Sequence, residues 1–207
     1  MLKRHVVLLG IIISTFLLAM AMRTYPGGSY FDKNSVGFDW TKNFMSNLFG
    51  PKAVNGADNP AKIWADLGMI FLSLSFSIFF YRFSKKIPVK SAANVVKYLG
   101  AAGMLCTFLV VTPMHDIMVA LASTLFLLCM FYITVFVFKS RLHLFKFLCV
   151  LCMLIFYFGL YLYGSGDLSW LPVVQKLSLV SMTLLILGLE YFTRHEDFYA
   201  IETNKAG

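Results

Sequence analysis

Six stretches of this 207-residue chain are apolar over the length a bilayer demands: residues 6–22, 63–81, 95–112, 117–138, 147–163 and 171–189. A spanning helix needs roughly 20 mostly apolar residues, with about 17 as the lower limit. Lipid offers the backbone no hydrogen-bonding partner, so each stretch must satisfy its own amides as a helix. A barrel would instead alternate in polarity, and runs such as 125–138 do not. The expected fold is all-α: one transmembrane domain over 1–207, a polytopic bundle of six helices. Charged residues are 14% of the chain, against roughly 25% in a soluble domain, so no soluble domain is expected beside the bundle.

The first stretch admits a second reading. Lys3-Arg4-His5, the apolar run and Ala19-Met20-Ala21 together have the layout of a secretory signal with its cleavage site. The apolar run, however, exceeds the roughly 7–15 residues of a signal core, and a retained first span is the expectation.

The formal net charge of +8 is spread between the spans, with no basic run of the kind a phosphate-binding surface needs, so no nucleic-acid partner is expected. Its distribution sets orientation instead. With the N-terminus in the cytoplasm, twelve of the eighteen Lys and Arg residues fall inside, from Lys3 and Arg4 to Arg194 and Lys205. Six fall outside: Arg23, Lys33, Lys42, Lys52, Lys62 and Lys176. Basic residues favour the cytoplasmic side, which predicts both termini in the cytoplasm, with the plasma (inner) membrane as the expected location.

One connection is long. The outer loop 23–62 opens on the turn signal Tyr25-Pro26-Gly27-Gly28. Its middle, 39–49, has helical spacing: Trp40, Phe44, Met45, Leu48 and Phe49 cover one half, while Lys42, Asn43, Ser46 and Asn47 cover the other. With Asp39 as N-cap and Gly50-Pro51 as stop, the pattern predicts a short amphipathic helix lying on the outer face.

Candidate chemistry gathers on that same side. His115 and Asp116 at the turn Thr112-Pro113-Met114-His115-Asp116 could form an acid–base pair, or two ligands of a metal completed from the long loop. The same turn also reads as helix initiation, with Thr112 as cap and Pro113 in the first turn. Asp66 lies about one turn inside the second span, where an ionisable residue is a functional candidate, with pairing to Lys62, Lys176 or His115 expected. These three are the catalytic candidates. Asn43, Ser46 and Asn47 are candidate ligands for a headgroup, and Lys176, one turn into the sixth span, would reach outward along its stem. Asp167 is expected to make a turn and cap the last span. Gly100-Ala101-Ala102-Gly103 marks a small-residue face for close helix packing. Cys149-x-x-Cys152 sits in apolar sequence with no second pair, so no metal site and no cofactor is expected.

The runs Tyr25-Pro26-Gly27-Gly28, Phe44-Met45-Ser46-Asn47-Leu48-Phe49-Gly50 and Thr112-Pro113-Met114-His115-Asp116 resemble those of domain-of-unknown-function family 998. That family comprises six-span membrane proteins distantly similar to the Frag1/DRAM/Sfk1 group. The resemblance implies a fold and a membrane location rather than a reaction. Asn47 stands where that family carries an acid. Three functions fit the sequence: a lipid- or headgroup-binding membrane factor, with membrane lipids as partners, comes first. A membrane-embedded hydrolase or transferase using His115 and acidic partners comes second, and a small transporter subunit third.

Overall fold

The structure, a computed structural model, describes residues 2–203, with side chains for residues 5–199. Lys205 lies outside the described residues, as do the side chains of Lys3 and Arg4. Six helices are long and apolar enough to cross a membrane, which makes this an integral membrane protein. They are α1 (Leu2–Thr24), α2 (Ala61–Ser84), α3 (Lys90–Leu109), α4 (His115–Lys139), α5 (His143–Ser165) and α6 (Leu171–Phe192). A short α7 (Glu196–Thr203) follows, and no strand is found among the described residues. Each span runs antiparallel to the one before. One end of the bundle, the loop face, carries residues 25–60 and the turns before α4 and α6. The opposite end, the termini face, carries α7 and the other two turns.

Helices in lipid associate by close packing rather than by hiding from water, and small residues set the approach. A Cβ at Gly100 of α3 would stand 2.5 Å from the Phe80 ring of α2, and one at Gly103 would stand 3.2 Å from Leu125 of α4. The small-residue face expected at 100–103 therefore packs α3 on both neighbours. Between α1 and α2, Ser14 Oγ donates to Gly68 O at 2.8 Å, and Ser75 occupies the space beside Gly10.

The densest packing fills the termini half, where Phe79, Phe80, Phe83, Met130, Ile133, Ile186 and Leu189 are fully buried. That end is closed by the Arg82–Glu190 ion pair at 2.6 Å and by Lys86, whose ammonium donates to Leu189 O and Glu190 O at 3.0 Å each. Phe198 of α7 is buried edge-on against Phe83. By contrast, α5 buries only Cys149, Cys152 and Leu162.

The expected helix over 39–49 does not form; only a 3₁₀ turn, Met45–Leu48, is present. Side chains take backbone amides along the segment, among them Phe44 N, which the expected helix would have bonded internally. Asp39 Oδ1 accepts from Thr41 N at 2.8 Å, Asn43 Oδ1 from Asp39 N at 2.8 Å, and Asn47 Oδ1 from Phe44 N at 2.7 Å. Trp40, expected on the buried half, is exposed, and Asn43, expected on the polar half, is fully buried. Two helix starts also differ. Met114, not Thr112, is the N-cap of α4, because the Thr112 hydroxyl donates back to Leu109 O at 2.6 Å. Asp167 closes a local turn by accepting from Ser169 N at 3.0 Å, and Trp170 is the N-cap of α6.

Candidate functional site

The loop face is built on side chains that replace secondary structure. Asn43 Nδ2 donates to Gly28 O at 2.7 Å and to Asn47 Oδ1 at 3.3 Å. Gly28 has φ +81°, and a Cβ there would collide with the backbone of Asn55, so only glycine admits this crossing of the chain. Tyr25 completes it: its hydroxyl accepts from Val54 N at 3.0 Å and donates to Gly28 O at 3.3 Å. Burial pushes the Tyr25 phenol above its usual range, offset in part by the Val54 bond. On the exposed side, the Thr41 hydroxyl bond, aided by Thr41 N and by Lys42, holds the Asp39 carboxyl below its usual range. Asn59 Nδ2 donates to Leu48 O at 3.2 Å and Gly50 O at 2.8 Å, and its Oδ1 accepts from Ala61 N, tying the loop to the start of α2.

Two adjacent residues of α6 fasten this loop across the bundle. Lys176 is 7% exposed; it does not run outward to water along its stem. Its ammonium donates to Asn43 O at 2.6 Å and Pro172 O at 2.8 Å, with the Phe38 ring 5.4 Å away. Gln175 Oε1 accepts from Met45 N at 3.0 Å. Segment 43–49 thereby becomes a roof.

Beneath it lies a cavity of about 450 Å³. Phe44, Met45, Ser46 and Phe49 form its upper wall, and Phe76, Met104, Phe126, Phe156 and Met182 its lower end. Its origin is the divergence of α4 and α5. These helices touch in the termini half, where the Thr134 hydroxyl meets Met153 Sδ at 3.3 Å, and at mid-bundle, where Phe126 and Phe156 stack at 5.5 Å. Above that stack the space between Val119, Ala122 and Ser123 on one side and Gly159, Leu160 and Tyr163 on the other is unfilled. From His115 to Phe126 the cavity runs eleven residues of α4, roughly 16 Å at 1.5 Å per residue. It therefore ends near the middle of a hydrocarbon core about 30 Å thick. The wall is apolar below, with Ser46, Thr107, His115, Ser123, Gln175 and Ser178 as polar points.

The residues singled out from the sequence divide as follows. Ser46 and His115 both line the cavity. His115 Nδ1 lies 2.9 Å from Asp116 Oδ1, and the Asp116 side chain is 85% exposed. Asn43, Asn47 and Lys176 hold the roof from behind and are not in the wall. Asp66 pairs with Lys62 at 2.6 Å, one of the three donors expected for it. Its Oδ1 is buried without a hydrogen-bond partner, and Asp66 is likewise not in the wall. Among the described residues no group of three His, Cys, Asp or Glu side chains is placed to hold a metal ion. Sequence reasoning missed Gln175 and Asn59. Gln175 carried a signal, an amide beside a lysine in an otherwise apolar run; Asn59, in a polar loop, carried none. The chain matches no family model, no curated protein and no solved structure.

Proposed function

We propose that the protein is a membrane factor that binds a lipid-like amphiphile, its chain in the cavity and its head under the roof 43–49. The observation that carries this reading is the cavity itself: closed by apolar side chains at mid-bundle, with Ser46, His115 and Gln175 towards the loop face and Ser123 and Ser178 part-way down. Ligand sites are concave, mostly apolar, roughly 300–1,000 Å³ in volume and carry a few placed polar groups. A bound chain would restore the contacts that the divergence of α4 and α5 leaves unmade, since an unfilled space forfeits dispersion on all its walls. The distribution of Lys and Arg supports an outer, non-cytoplasmic loop face in the plasma membrane, with both termini in the cytoplasm.

The enzyme reading has less support. His115 and Asp116 form a pair at the cavity edge, but Asp66 is engaged by Lys62 rather than by His115. Native mass spectrometry of the protein extracted with its lipids tests the proposal. Wild type should carry a lipid adduct that survives detergent exchange, and Ser123→Phe, which places a ring in the cavity, should lose it. An adduct retained equally by both proteins would place the lipid elsewhere.

A further inference from the structure

We infer that the cavity selects a single-chain amphiphile with an uncharged head bearing hydroxyl and ester oxygens, of the monoacylglycerol type, and that Gln175 and His115 recognise that head. The inference rests on the amphiphile-binding reading and narrows it.

Size limits the chain. At roughly 30 Å³ for a water-sized group, about fifteen methylene-sized groups fill the cavity of about 450 Å³. That is enough for one long acyl chain.

Charge limits the head. Among the described residues no Lys or Arg lines the cavity. The two nearest candidates by topology are committed elsewhere, Lys176 to Asn43 O and Pro172 O, and Lys62 to Asp66. A carboxylate or phosphate would leave water without a cation to meet it, a large cost in an apolar wall. A cationic head gains little from Asp116, which is 85% exposed and already takes His115.

The hydrogen-bonding groups then fit a neutral head. The Met45 amide can only donate, so the contact at 3.0 Å fixes Gln175 Oε1 towards the roof. Gln175 Nε2 therefore presents two N–H donors that meet no acceptor among the described residues, suited to an ester or hydroxyl oxygen. A carboxylate can only accept, so His115 Nδ1 donates to Asp116, which in the neutral ring leaves Nε2 to accept from a hydroxyl. Gln175, His115 and the Ser46 hydroxyl all line the cavity towards the loop face.

The test titrates the purified, delipidated full chain with monoolein, oleate and lysophosphatidylglycerol near neutral pH, on wild type and Gln175→Glu. This substitution keeps an acceptor for Met45 N–H and removes both donors. Monoolein should bind wild type at least about tenfold more tightly than either anion, and Gln175→Glu should weaken it about tenfold. If that variant melts lower than wild type, His115→Phe, at a residue whose side chain bonds Asp116 rather than the loop, replaces it and should weaken monoolein in the same way. Equal or tighter binding of either anion overturns the inference, as does a variant that binds monoolein like wild type; in both cases the amphiphile reading survives. Binding of none of the three to wild type overturns both.

Discussion

Lys176 shows how much of this structure depends on single polar side chains. Its ammonium is buried at the loop face, satisfied by two carbonyls and facing the Phe38 ring. A buried cation is tolerated only when hydrogen-bonded, and a ring face adds to that. Lys176→Met keeps the stem and removes both bonds, leaving Asn43 O without its donor. The expected cost is about 1–3 kcal/mol, concentrated in residues 25–60 rather than in the six spans. Limited proteolysis in detergent should cut the variant's loop several-fold faster; an unchanged cleavage rate would show that the lysine does not hold the roof. The polarity of Asn43 and Lys176 was plain in the sequence, but their partnership was not. They are 133 positions apart, and the acceptor is a backbone carbonyl, which leaves no mark on residue type.

At the scale of elements, legibility follows the physics that fixes each one. The six spans were readable because lipid imposes length and polarity directly. Most helices extend beyond their apolar stretches, as for α2, Ala61–Ser84 against 63–81, since polar ends continue the helix into the headgroup region; α3 instead stops at Leu109, short of the expected 112. Gly100 and Gly103 were readable because close approach admits few alternatives. The segment 39–49 was misread because its period is helical while Asp39, Asn43 and Asn47 bind backbone amides in preference to water. The connections carry their own prediction, from the excess of Lys and Arg on the termini face. A cysteine placed at Asn55, in the loop, should react in intact cells with a thiol reagent that does not cross the membrane. Protection of that cysteine until the membrane is opened would reverse the orientation.

For the whole molecule, the two halves of the bundle differ in kind. The termini half is packed with phenylalanines and closed by the Arg82–Glu190 ion pair, whereas the loop half is hollow under a roof held by side chains. No sequence pattern announces that hollow. It arises from how far α4 and α5 diverge above the Phe126–Phe156 stack, a property of pairs of helices that hydropathy does not record. The candidate site was accordingly legible as a set of polar residues on one face, Ser46 and His115 among them, but not as a chamber. The account stands on that chamber holding a lipid chain. The most direct measurement is photo-crosslinking with a single-chain lipid that carries a diazirine at the end of its acyl chain, followed by mapping of the labelled residues. The account predicts adducts at the buried residues Met104, Phe126 and Met182, lost in Ser123→Phe. Adducts confined to outward-facing residues such as Phe131, Leu154 and Phe158 would contradict it.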